Sequence, residues 1–94
     1  MPKLPVRFSP RAWAQFAALT PAQQTQARRL LRALQLAEGG GGRLWVTDAR
    51  DRRFFIVSAL DTHVVYRLVY EQIGSALFIS LILVYETPPD PNNG

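Results

Sequence analysis

The chain predicts an α+β fold, a two-helix hairpin packed on one face of a twisted antiparallel sheet, and three observations support it. Ser9-Pro10 and Thr20-Pro21 are successive helix-start signals, each a hydroxyl residue before a first-turn proline. The run Gly39 to Gly42 stops whatever helix precedes it, because consecutive glycines do not propagate one. The stretch Val64 to Tyr85, VVYRLVYEQIGSALFISLILVY, then reads as two long apolar strands joined at Gly74-Ser75, with Arg67 as its single cation.

The elements follow in order. Leu4, Val6 and Phe8 alternate with Pro5 and Arg7, the period of a half-buried strand, and Pro5 assigns it to an edge. A first helix is expected over about Pro10 to Leu19, with Trp13, Phe16 and Ala17 on its inner face. A second is expected over Pro21 to Glu38, opened by a capping box of Thr20 and Gln23 and carrying the apolar stripe Ala27, Leu30, Leu31, Leu34 and Ala37. Arg28, Arg29 and Arg32 lie largely off that stripe. Leu44 to Thr47 is strand-like, with Trp45 expected to anchor the sheet. Asp48 to Asp51 reads as a turn and Arg53 to Leu60 as a strand, either as one bent strand with Leu44 to Thr47 or as two strands. Short connections favour an antiparallel meander, with Val64, Tyr66, Leu68 and Tyr70 facing the helices and Phe16, Leu30, Leu34, Tyr66 and Leu68 in the core. Residues 1–87 are expected to form one domain and residues 88–94 a flexible proline-rich tail.

Composition narrows the chemistry. Ninety-four residues, 48% hydrophobic, suffice for one modest core. There is no cysteine and a single histidine, His63, so thiolate metal sites are excluded. The scattered carboxylates have no ligand-like spacing, and neither metal nor cofactor is expected. Prolines in MPKLPVRFSP interrupt any signal-like apolar run. The longest apolar stretch, Ala76 to Tyr85, is about half of the ~20 residues a membrane helix requires. A cytoplasmic protein with no membrane contact is the expectation. All eleven basic residues lie at or before Arg67, and only Glu71, Glu86 and Asp90 carry charge after it. A basic front half suits phosphate or an acidic partner, or serves solubility alone.

From about Val6 to Tyr85, the opening strand, FSPRAWAQFAAL, the glycine break, RRFFIVSAL, VVYRLVYE and ALFISLILVY together resemble the RelE/ParE toxin superfamily of type II toxin-antitoxin systems. Tyr66-Arg67-Leu68-Val69-Tyr70 is the most specific element of that resemblance. It implies two helices on a twisted antiparallel sheet and a toxin neutralised by an antitoxin protein laid along its surface. For the RNA-cleaving members it implies a metal-independent endoribonuclease acting on ribosome-bound mRNA, in which cations hold the scissile phosphate while the ribose 2′-hydroxyl attacks.

The resemblance assigns Arg67 to the catalytic arginine of the central strand. A guanidinium among apolar neighbours requires an anion on physical grounds as well, either a ligand or an internal partner among Glu71, Asp61 and Glu86. Arg53 substitutes at a strand end for basic residues the family places along that strand, and Tyr85 or Tyr70 offers a phenol. Arg50 and Arg52, with Arg28, Arg29 and Arg32, are candidate contacts for RNA or a protein partner. The chain departs from the family pattern at Tyr85-Glu86-Thr87, where a basic residue is expected, and Pro88, Pro89 and Pro91 preclude a C-terminal helix bearing a catalytic tyrosine. Ser58 or Ser80 with His63 lacks a nucleophile elbow. Three functions remain open: an mRNA endoribonuclease; a non-catalytic relative acting by protein contact, as a ParE-like gyrase inhibitor does; and a small dimeric structural protein. A possible homodimer follows from the two-sided apolar strands.

Overall fold

The computed structural model describes residues 4–87. The element order is β1 (Val6–Phe8), α1 (Pro10–Ala17), α2 (Pro21–Leu36), β2 (Arg43–Thr47), β3 (Arg53–Asp61), β4 (Val64–Ile73) and β5 (Ala76–Glu86). The chain is therefore α+β, and Leu44 to Thr47 and Arg53 to Leu60 belong to two strands. The expected tail, 88–94, lies outside the described residues.

Both helices begin where the hydroxyl-proline pairs place them. Ser9 Oγ accepts from the Ala12 N–H at 3.0 Å and donates to the Ser80 carbonyl at 2.9 Å, so one side chain caps α1 and ties it to β5. At α2, Thr20 Oγ1 accepts from the Gln23 N–H and Gln23 Oε1 accepts from the Thr20 N–H, the reciprocal pair of a capping box. Each helix ends two residues earlier than its apolar pattern indicated. Past Leu36 the Gly39 N–H reaches the Leu34 carbonyl at 2.9 Å and Glu38 N–H reaches Gln35, the paired bonds of a Schellman stop. Its left-handed residue is Glu38, φ 54°, rather than a glycine.

The five strands form one sheet in the order β1-β5-β4-β3-β2. β2 to β5 are an antiparallel meander, whereas β1 pairs with β5 in parallel, Val6 opposite Leu77 and Phe8 opposite Ile79. The sheet is thus mixed, and the expectation of a wholly antiparallel sheet is corrected at this edge. Only the β2 to β5 neighbours are joined by short turns that impose antiparallel pairing. β1 meets β5 across the whole length of the chain, so no turn fixes its direction.

Ala12, Leu30 and Leu34 pack against Tyr66, Leu68, Tyr70, Leu77, Ile79 and Ile82, which places both helices on one sheet face. Of the expected core set, Phe16 is only half-buried against this cluster. Trp13, expected inside, is 59% exposed, stacked on Phe16 and tilted against Phe8 at the surface, because Ala12 takes the position nearest the sheet. Trp45 does not anchor the sheet either; it is 49% exposed as the extra residue of a bulge in the outer strand β2.

A second bulge decides which residues share a face. Val69 pairs with Leu81 and Tyr70 with Ile79, leaving Ser80 unpaired. Before it the odd residues Leu77 and Ile79 face the helices; after it the even residues Ile82 and Val84 do. The continuous apolar run of β5 is therefore two alternating patterns joined out of phase.

Candidate functional site

The face away from the helices carries the alternate residues of the central strands. On β4 these are Val65, Arg67, Val69 and Glu71, since Tyr66, Leu68 and Tyr70 point into the core. Strand register places Ser58 and Leu83 on either side of Arg67, Leu60 and Tyr85 beside Val65, and Ile56 and Leu81 beside Val69. Arg67 is thus a cation set within an apolar field. Tyr85 reaches it because the Ser80 bulge turns it to this face, and the Arg67 guanidinium carbon stands 5.4 Å from the Tyr85 ring centroid.

The internal ion pair considered for Arg67 does not form. Asp61 and Glu86 are both in register with Val64, which packs against the core, so they belong to the opposite side. Glu71 shares the face but lies four residues along the strand, roughly 13 Å away at 3.3 Å per residue. Arg67 Nε is buried and has no hydrogen-bond partner. A buried unmade hydrogen bond costs about 1–3 kcal/mol, more at a charged group, so this arrangement is maintained against a penalty that an anion would relieve.

The other candidates are distributed elsewhere. Arg53 opens β3 opposite Thr47 and, two residues before the core-facing Phe55, shares its side rather than that of Arg67. Arg50 and Arg52 belong to the turn before β3. There Asp48 accepts backbone N–H bonds from both at 2.9 Å, and its Oδ2 accepts from Arg52 Nε at 2.7 Å. The Arg52 backbone N–H foremost holds the Asp48 carboxyl below its ordinary range, and the side-chain bond to Asp48 foremost pushes the Arg52 guanidinium above its own. Arg28 covers the Phe16 ring at 5.3 Å on the helix layer, where Arg29 and Arg32 are also exposed, across the sheet from Arg67. The structure therefore brings Arg67 and Tyr85 together and leaves the remaining arginines apart from them.

Ser58, opposite Arg67, joins the site through register alone; counting paired residues from the Asp61 to Val64 turn would have located it. His63 sits in that turn, where its carbonyl accepts from the N–H and hydroxyl of Thr87. Tyr70 is in the core, its hydroxyl donating to the Gly39 carbonyl at 2.6 Å, and offers no phenol to the open face. Among the described residues no group of three or more metal-ligating side chains exists, and no helix is long and apolar enough to cross a membrane.

No protein-family model, curated protein or solved structure matches the chain significantly.

Proposed function

We propose that the chain is a RelE/ParE-type toxin-like protein that engages the phosphate backbone of RNA through the open sheet face around Arg67. One observation carries the reading: a guanidinium whose Nε is buried and unpaired lies on the open sheet face among Val65, Val69, Leu81 and Leu83, with no carboxylate in reach. Arg67 would hold a phosphate and neutralise charge developing on it, with the Tyr85 ring packed against the guanidinium. Neither a second cation nor a placed imidazole stands beside Arg67 among the described residues, so any cleavage by 2′-hydroxyl attack rests on charge stabilisation without strong acid-base assistance.

The test is expression without an antitoxin. Growth arrest with cuts in translated mRNA, both abolished by Arg67→Ala in a folded protein, is the expected result for an RNA-directed toxin. Cleavage should be slow, and arrest unaffected by Arg67→Ala would overturn the assignment.

A second reading has its own observation. Leu60 and Tyr85, both exposed, continue the apolar field beside Val65, a surface suited to a protein partner such as an antitoxin segment or gyrase. Growth arrest with intact mRNA would favour that alternative.

A further inference from the structure

Trp13 is an aromatic residue that the core does not explain. Its ring lies 6.2 Å from that of Phe16, nearly parallel to it, and 5.8 Å from that of Phe8, and the Arg28 guanidinium lies over Phe16 at 5.3 Å. A single exposed apolar side chain is ordinary surface. Here three rings and a cation form one row running from β1 across α1 to α2, with Trp13 its most exposed ring.

The charge around the row has one sign. α1 and α2 carry four arginines and no carboxylate, and none of the four has an ionic partner among the described residues. Gln24, Arg28 and Arg32 follow at intervals of four and therefore share one flank of α2. Gln24 donates to the Phe16 carbonyl at 3.2 Å, which turns that flank toward the rings. Arg32 stands about 6 Å beyond Arg28 along the helix axis, at 1.5 Å per residue. Unpaired guanidiniums beside an exposed indole suit a chain that alternates anions with planar rings, because bases stack on aromatic faces while phosphates meet the cations. Beyond the rings, the exposed Thr25, Arg29 and Arg32 give a peptide no apolar anchor.

We propose that Trp13, with Arg28 and Arg32 beside it, is a stacking platform for single-stranded RNA, one base lying on the indole and the two guanidiniums holding adjacent phosphates. The choice of RNA over DNA rests on the function proposed for Arg67; the platform itself does not. It occupies the helix side of the sheet and Arg67 the other. A strand long enough to pass round the sheet engages both sites, and the loss of either weakens its binding.

The test uses a short uridine oligonucleotide. Trp45→Phe leaves Trp13 as the single tryptophan, and the oligonucleotide should quench its emission saturably whether Arg67 is present or replaced by Ala. In the Arg67→Ala chain, Trp13→Ala should weaken binding about tenfold, within the range of one stacked base, and Trp13→Phe should retain most of the affinity. Arg28→Gln should reduce the slope of log affinity against log salt by about 0.7, the value for one phosphate of a single strand. An abasic strand of the same length should bind about tenfold more weakly than the uridine strand. Trp13 emission unmoved at saturation, or equal binding of the abasic strand, overturns the proposal. Tighter binding of a polyglutamate peptide overturns it in favour of an acidic protein segment, and tighter binding of the deoxyuridine strand overturns the choice of RNA. A failure of the Arg67 reading leaves these results unchanged, because Trp13 is followed with and without Arg67. The emission and abasic comparisons keep Trp13 in place, so they decide the matter even where Trp13→Ala fails to fold.

Discussion

The Arg67 guanidinium lies 5.4 Å from the centre of the Tyr85 ring, and the two meet only because a one-residue bulge at Ser80 turns the end of β5 over. The contact is worth about 0.5–1 kcal/mol at an exposed site. It does not offset the unpaired, buried Nε, which costs about 1–3 kcal/mol. Without an anion, Arg67 therefore costs the fold stability, as a site held for a ligand would.

Replacing Arg67 with Met, which keeps the unbranched stem and removes the charge, should stabilise the protein by about 1 kcal/mol in urea unfolding. A loss of that size instead would mean that Arg67 has a structural partner in solution.

Tyr85→Phe retains the ring and should leave RNA affinity within about twofold. Tyr85→Ala removes the cation–π contact and should weaken binding about two- to fivefold, the equivalent of 0.5–1 kcal/mol. Anisotropy titrations with a short single-stranded RNA separate the cases, and a large effect of Tyr85→Phe would assign the hydroxyl a chemical role.

Tyr70 gives the fold an alkaline limit. Burial is the main cause that raises its pKa, with the Gly42 backbone opposing in part, so the folded state favours the neutral phenol. Stability from this group is complete below the ordinary tyrosine value of 10.0 and is lost as pH rises above it, since the unfolded chain ionises first. Chemical unfolding followed from pH 9 upward, on the scale of an ordinary tyrosine pKa of about 10, should show this decline, and Tyr70→Phe should abolish its tyrosine component. An identical pH profile in the variant would place Tyr70 in water.

The glycine loop is fitted to the same phenol. A Cβ at Gly42 would run into the Tyr70 hydroxyl, which is engaged with Gly39. Gly42→Ala should destabilise by about 1–3 kcal/mol through the broken hydrogen bond, and Leu34→Ala, at a site 2% exposed, by about 2–5 kcal/mol. Gly41→Ala serves as the comparison, because its Cβ meets nothing and its cost comes from the positive φ of 87° alone, about 1–2 kcal/mol. Equal melting of the Gly41 and Gly42 variants and the parent would show that the loop does not clasp Tyr70.

What the sequence disclosed and what it concealed follow from the range of the signals. The capping residues Ser9 and Thr20, the stripe Leu30 and Leu34, and the inward set Tyr66, Leu68 and Tyr70 are local patterns, and each appears where it was read. The direction of β1 depends on a contact between the two ends of the chain, which no local pattern encodes. The apolar run of β5 hides its bulge, because a residue slip inside uniformly apolar sequence leaves no break in the alternation. That slip alone decides that Tyr85 joins Arg67. Likewise, whether Arg67 had an internal anion depended on register, which puts Asp61 and Glu86 on the other face. Trp13 and Trp45 misled because large apolar residues need not be inside.

The most direct measurement of the central claim is the affinity of single-stranded RNA for the parent protein and for Arg67→Ala at one fixed salt concentration, with thermal unfolding of both. The account predicts at least tenfold weaker binding, the worth of one charge-assisted phosphate contact at about 1.5–3 kcal/mol, together with an unchanged or raised melting temperature. Undiminished binding by a folded Arg67→Ala protein, or a variant that melts well below the parent, would contradict it.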